Sequence, residues 1–506
     1  MPSDAEKMKA DLIKKTIAQS KRRLGKNIQN RFSGFLRAYF ANVPPRDIQD
    51  HTSLTLLALA HGHWKQSQLR ARRKTLIRVF NPDAKKDGWR CDHTVIEIVN
   101  DDMPFLVDSV TAELNKQNLT VHLVIHPMFE VRRNKAGKLS DIQAPGKSGP
   151  DTNTESFMHL HVSQVSGARL KAIEQGLRAV LGDIRLAVRD WRAMNAKMAD
   201  VITELENIPK RVPAEDAEEV RAFLRWIHDN QFTFLGFREF RVSGGGKLTR
   251  IQVNKKSGLG ILSNPERSVL KEIREMQTSP AKGGGSDILL VTKANERSTV
   301  HRPVHMDAIG IKRFDAKGRV IGQYLFVGLF TSAAYSRSPR SIPLLRRRLE
   351  KTMQRADLAA GSHDSKALAH ILETFPRDEL FQISADQLFE TSLDIVNLQD
   401  RQRVALFVRV DGFERFVSCL IYVPRDRYTM TLRRGMQGIL GTAFAGEVAA
   451  HHAEIGDSPL ARLHLIIRTK PGKIPAFNVR SLEARLVAAA RSWSDRLNDT
   501  LADHHG

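Results

Sequence analysis

The stretch that most constrains this 506-residue chain runs from Val95 to Val131, VIEIVNDDMPFLVDSVTAELNKQNLTVHLVIHPMFEV. A short apolar strand, Val95 to Val99, meets an acidic, proline-bearing turn, Asn100-Asp101-Asp102-Met103-Pro104. Phe105, Val107, Val110 and Leu114 then recur near helical spacing, with Pro104 where the first turn of a helix tolerates a missing N–H. A second strand-like run follows from Val121 to Val131. Strand, tight turn, helix and strand within about forty residues are the first half of a split βαβ unit. Its turn offers backbone N–H groups and a helix N-terminus to an anion.

Length leaves room for roughly three or four domains. The 41% hydrophobic and 27% charged residues are ordinary for globular material, but the formal charge of +23 is not. It admits a polyanion or an acidic protein as partner. Nucleic acid is the weaker choice among these: the basic runs Lys21-Arg22-Arg23, Arg70 to Lys74 and Arg346-Arg347-Arg348 carry no interleaved aromatics for base stacking. Cys91 and Cys419 are too isolated for a disulfide framework or a zinc knuckle, which favours a reducing cytoplasm. No apolar run approaches the length of a membrane span.

Along the chain, residues 5–42 read as a basic amphipathic helix that packs on its own protein or on a neighbouring subunit. A helix at 54–73 and a strand at 76–80 follow. The third strand of the first module is Glu155 to Val162, with Met158, Leu160 and Val162 on one face. A loop rich in Lys, Gly and Pro, 134–154, precedes it. Helices are expected at 168–205 and 214–230. The β-rich region 232–330 has turns at Gly244–Gly246 and Gly283–Gly285, and helices follow at 341–356, 363–374 and 383–400. From Arg403 the order reads strand, strand, helix, strand, strand, helix, again a ferredoxin-like set of elements. The fold class is thus α+β, several βαββαβ modules joined by long helices.

Tests for chemistry are mostly negative. Gly258-Leu-Gly260 has Ser263 where a nucleotide-binding fingerprint needs glycine, and Gly146-Lys147-Ser148 has Asp141 where a P-loop needs one. Same-face His159 and His161 lack a third ligand at a readable spacing, so no metal site is assigned. The candidate site is the turn: Asp101, Asp102, Met103, Pro104, Phe105, Asp108 and Ser109. It can hold an amino-acid ammonium on its carboxylates and the carboxylate on helix N–H groups. Helix capping by one acid is the plainer use of any single residue among them.

Several further motifs stand beside this turn: His126-Pro127, Glu155-Ser-Phe-Met-His-Leu160, Phe232-Thr-Phe-Leu-Gly-Phe237, His301-Arg302 before Asp307, Phe326 to Ser332, and Ser458-Pro459-Leu460-Ala-Arg462. In this order, with Asn100 to Ser109, they resemble the N-terminal region of the large bacterial NAD-specific glutamate dehydrogenases. The resemblance implies ACT-type modules for amino-acid sensing and subunit contact. It divides the chain into a helical segment (1–74), a first ACT-like domain (75–206), a linking helix (207–231), a β-rich ACT-like domain (232–335), a helical linker (336–402) and a further ACT-like domain with its C-terminal helix (403–506). It implies no catalytic residue and no cofactor in this chain, with NAD serving the parent enzyme. The partners it implies are a second copy of the chain or the catalytic remainder of the dehydrogenase, and an amino-acid effector. The alternative is a stand-alone basic scaffold or sensor for a polyanion or a protein partner.

Overall fold

Alternating strands build the first sheet: β1 (Leu76–Phe80), β2 (His93–Asp101), β3 (Val121–Ile125), β4 (Met128–Arg133), β5 (Leu139–Gln143) and β6 (Asn153–Ser163). The order is β1-β2-β6-β4-β5, with β3 also alongside β6, and every pair is antiparallel. The computed structural model describes residues 3–146, 151–207, 213–243, 250–267, 288–398, 401–456 and 458–491. These fall into two compact units, Met1–Trp191 with Arg297–Val304 and Arg192–Glu296 with His305–Gly506. Both glycine triplets, Lys147-Ser148 and the end of the expected C-terminal helix lie outside the described residues.

In the first unit the period of two divides β2 and β6 between two faces. Ile96, Ile98, Met158, Leu160 and Val162 take one side; Val95, Glu97, Val99, Phe157, His159 and His161 take the other. Val95, Val99 and Phe157 share a core with Phe32, Phe35, Leu36, Tyr39, Leu56 and Trp64 of the N-terminal helices. The basic stretch expected as one helix is two, Asp4–Arg23 and Lys26–Ala41, because the backbone is extended at Leu24 and Gly25. Its aromatic stripe is spent on this core. The helix expected at 54–73 runs Ser53–Ser67, with the Thr52 side chain accepting from the Thr55 N–H at its start. The single strand expected over 121–131 is broken at His126-Pro127. Proline has no N–H for the ladder, yet its carbonyl still accepts from the Phe157 N–H at 3.0 Å. The loop expected over 134–154 contains β5, which forms a hairpin with β4.

His63, on the helix Ser53–Ser67, is fully buried. Its Nε2 donates to the Ile98 carbonyl at 3.2 Å and its Nδ1 accepts from the Tyr39 hydroxyl at 2.9 Å, the arrangement of a neutral imidazole. Burial pulls its pKa down to about 4; Glu97 raises it in opposition, and His159 lowers it further. The folded state therefore refuses a proton that the unfolded chain accepts near pH 6.5. The stability is present above that pH and falls as pH drops towards 4, by about 3 kcal/mol from this group. Urea titrations of wild type and His63→Gln between pH 7 and 4 are expected to show a smaller acid-dependent loss in the variant; parallel slopes would remove His63 from the account.

In the second unit, β7 (Phe232–Ser243), β8 (Arg250–Val253), β9 (Leu259–Gly260), β10 (Leu289–Arg297), β11 (His305–Phe314) and β12 (Val320–Phe330) form a second antiparallel sheet. Its order is β10-β11-β12-β7-β8, with β9 beside β7. A bulge between Val327 and Gly328 lets the Thr233 carbonyl and the Phe232 ring come so close that a Cβ at position 328 would collide with both. Phe234, Phe237, Ile309, Phe326 and Phe330 share a core with the helices Ala214–Trp226, Leu345–Ala356, His363–Thr374 and Ala385–Leu398. The last sheet has β13 (Ala405–Val410), β14 (Phe416–Pro424), β15 (Glu447–Glu454) and β16 (Leu460–Arg468) in the order β13-β14-β16-β15. The helices Met430–Ala443 and Val479–Ala489 supply Met436, Leu440, Leu482 and Leu486 to its core. The chain is therefore of the mixed class expected, antiparallel sheets with helices packed on them. Among the described residues no helix is long and apolar enough to cross a membrane.

Candidate functional site

The turn after β2 delivers its residues to different places. Asp101 closes β2 opposite Glu155 of β6. Asp102 is exposed, its N–H donating to the Thr154 carbonyl at 3.0 Å. Met103 is half-buried and Pro104 exposed. The helix begins at Leu106, not at Pro104, and its inward face is Leu106, Val110 and Leu114 in place of Phe105 and Val107. Neither acid caps it: Phe105 occupies the N-cap position with no side-chain hydrogen bond, and Asp108 lies in the first turn. Anionic charge there still complements the helix dipole.

Phe105 has φ +72°, the left-handed region that a bulky side chain rarely visits. Such a residue costs on the order of 1–3 kcal/mol and persists only where its surroundings enforce it. Its neighbour is a second left-handed residue, His301 at φ +68°. The two rings lie 5.0 Å apart. The His301 N–H donates to Ser109 Oγ at 2.9 Å, and its Nδ1 lies 3.1 Å from Asp108 Oδ2. Ser109 Oγ also donates to the Phe105 carbonyl at 2.6 Å. The residues Phe105, Asp108 and Ser109 are thus brought together around His301, nearly two hundred positions along the chain. Asp101 is held elsewhere.

Asp101 belongs to a buried ionic cluster. Arg70 reaches Asp101 Oδ1 at 2.6 Å and Glu155 Oε1 at 2.7 Å, while Arg133 grips Glu155 with two bonds of 2.6 and 2.7 Å. Arg70 and Glu155 are 3% and 2% exposed, so Arg70 is no member of a solvated basic run. Asn100, one residue before, accepts from Thr75 Oγ1 and from Arg185, both at 2.8 Å. Arg133 and Arg185 left no signal in the sequence, because strand pairing and long-range packing bring them in. Arg70 shows there only as one of a basic run, and His301 only as part of a motif.

Among the histidines, His159 and His161 share a face as expected, with Nε2 atoms 3.0 Å apart. His122 lies on β3, and His126 contacts Ser156 Oγ at 2.6 Å. His305 Nδ1 lies 3.1 Å from the Ala294 carbonyl.

Small antiparallel sheets with helices packed on them are the architecture of ACT-type modules. A model of the glutamate dehydrogenase ACT1 domain matches residues 35–177, one of helical motif 1 matches 342–401, and one of the ACT2 domain matches 405–494. The chain belongs to the N-terminal, ACT-like region of the NAD-specific glutamate dehydrogenase family. It is 34% identical over 474 residues to the "NAD-specific glutamate dehydrogenase" of Pseudomonas aeruginosa, covering 93% of this chain and 29% of that protein. The corresponding protein of Halomonas elongata is 34% identical over 499 residues, 97% of this chain and 31% of its own length. That of Mycobacterium tuberculosis is 28% identical over 459 residues, with 88% and 27% covered. The chain spans less than a third of the length of these curated relatives.

Proposed function

We propose that this chain is the regulatory and assembly portion of an NAD-dependent glutamate dehydrogenase, binding an amino-acid effector and catalysing no hydride transfer itself. The parent reaction would be L-glutamate, NAD+ and water to 2-oxoglutarate, ammonium and NADH, run in the cytoplasm by a dehydrogenase core outside this chain. Partners would be that core and further copies of the chain. The observation that carries the effector reading is the meeting of two strained residues, Phe105 and His301, at an uncapped helix start beside Asp102 and Asp108. Strain of this kind collects at ligand clamps and switches. An effector ammonium would sit on the Asp102 and Asp108 carboxylates and its carboxylate on the first-turn N–H groups.

Thermal unfolding of the chain against the twenty amino acids tests this. One of them is expected to stabilise it saturably, by about 2.7 kcal/mol at a hundred times its Kd, with little dependence on salt. Asp102→Asn together with Asp108→Asn is expected to abolish the shift. The net charge of +23 favours a second reading, a scaffold for a polyanion. Binding of a polyanion that collapses with salt, and no response to any amino acid, would put that reading first.

A further inference from the structure

The sheet of the first unit gathers side chains that sequence spacing keeps apart. Cys91 lies just before β2, His93 opens β2, and His161 sits on β6, opposite Val95 on β2 and Leu123 on β3. Antiparallel pairing sets residue 161 diagonal to residue 93, and the bend ahead of β2 carries Cys91 back over the same face. One sulfur and two ring nitrogens, one from each residue, all lie within 4.8 Å of one another.

We propose that Cys91, His93 and His161 form a mononuclear zinc site, three protein ligands with a fourth position open to water or to His122. The ligand chemistry selects the ion: one thiolate and two imidazoles suit a borderline divalent cation, and three ligands with an open place are a familiar zinc arrangement. On binding, the Cys91 thiol releases its proton to solvent and the thiolate takes the metal.

Two further observations point to a ligand here. A metal-bound imidazole usually gives its second nitrogen to an outer partner that fixes the ring. His159 Nε2 stands in that place, 3.0 Å from His161 Nε2. His159 is itself wholly buried, its Nδ1 has no hydrogen-bond partner among the described residues, and Glu97 Oε1 is 3.5 Å away. The Trp89 ring stacks on His161 at 5.8 Å and walls one side. His122 is exposed, with its ring 4.5 Å from that of His93, and Cys91 and His93 are half-buried, so an ion can reach the site from solvent. The metal would clamp the segment before β2 onto β6.

Cobalt titration of the metal-stripped full chain tests this, because a cysteine ligand gives a thiolate-to-cobalt charge-transfer band and tetrahedral ligation gives intense visible absorption. The expected result is one equivalent of cobalt with both features, displaced by one equivalent of zinc. Cys91→Ser should lose the charge-transfer band, and Cys419→Ser should keep it, since Cys419 is buried in the second unit. His93→Gln should weaken zinc binding by more than the ~10–100-fold that loss of an outer-shell partner costs. Circular dichroism of each variant verifies folding. A wild-type chain without the band, or a band that survives Cys91→Ser, would overturn the site. So would a zinc affinity unchanged in a folded His93→Gln.

Discussion

Replacing Glu155 by alanine is expected to cost the first unit about 3–5 kcal/mol, the usual penalty for removing one partner of a buried ion pair. Glu155 pairs with two guanidinium groups at once. Without it, Arg133 loses both of its bonds to Glu155 and is left with the carbonyls of Ser67 and Gly137, at 2.9 and 3.1 Å, among the described residues. Arg70 keeps Asp101 and the Lys74 carbonyl. The backbone cannot move away to let water in. The Arg70 N–H is bonded to the Gly137 carbonyl at 3.0 Å, and Gly137 has φ +82° with no space for a Cβ against the Arg70 carbonyl. Glu155→Gln keeps the shape and removes the charge, so it should fall between wild type and alanine. Urea unfolding read through tryptophan fluorescence measures both, because Trp64 and Trp89 lie in this unit's core. A loss below about 1 kcal/mol would place the cluster with exposed ion pairs. The same variants bear on the effector reading: Asp101, which Arg70 holds, stands one residue from Asp102, so a loosened cluster should weaken effector binding.

That cluster also marks where the sequence stops being readable. Elements were legible wherever a period repeated. β1 falls at the expected residues, β6 and the helix Ala168–Glu204 fall within a residue or two of theirs, and the final module keeps its order of strands and helices. Misses came where a local feature broke the period. Extended backbone at Leu24 and Gly25 divided one helix, Pro127 divided one strand, and the hairpin turn around Gly137 hid β5 in a loop. The candidate turn was visible from its acids and its proline, but the partners of those acids were not. Arg70 reads as one member of a basic run, and nothing local says that it is buried beside residue 155. The Arg346 to Arg348 run misleads in the same way: Arg346 pairs with Glu219, Arg347 with Asp216 and Glu215, and Arg348 with the Leu380 carbonyl. Much of the positive charge in these runs is therefore neutralised or bonded locally. Composition alone would have offered it to a polyanion.

In the second unit the largest single effect is expected at Lys293. Its ammonium, on β10, bridges Asp307 Oδ1 at 2.7 Å on β11 and Asp378 Oδ1 at 3.0 Å on the helix Arg377–Gln382. Burial pulls the lysine pKa down, but the two carboxylates outweigh it and hold the group firmly charged. Tyr335 donates to Asp378 at 2.8 Å, and the Phe330 N–H donates to Asp307 at 3.3 Å. Lys293→Met keeps most of the volume and leaves two carboxylates facing each other without a cation, a loss of about 3–5 kcal/mol near neutral pH. The loss should depend on pH in a way that a packing defect would not. Burial already raises the Asp307 pKa, with Lys293 opposing it, and without the lysine it rises further. The folded variant then binds a proton that the unfolded chain does not take until near pH 4, so acidification from neutral towards that value should recover part of the deficit. Unfolding free energies of wild type and variant across that range decide the matter: a constant difference would make Lys293 a packing residue. The helix Arg377–Gln382 extends the consequence. Asp378 faces the second sheet, and the next residue, Glu379, holds Arg409 of β13 with bonds of 2.7 and 2.9 Å and lies 3.7 Å from His464 of β16. One turn of helix thus joins two sheets through adjacent acids. Hydrogen exchange in Lys293→Met should therefore speed up in β13 as well as in β10 and β11, and faster exchange confined to β10 and β11 would show that the two sheets respond independently.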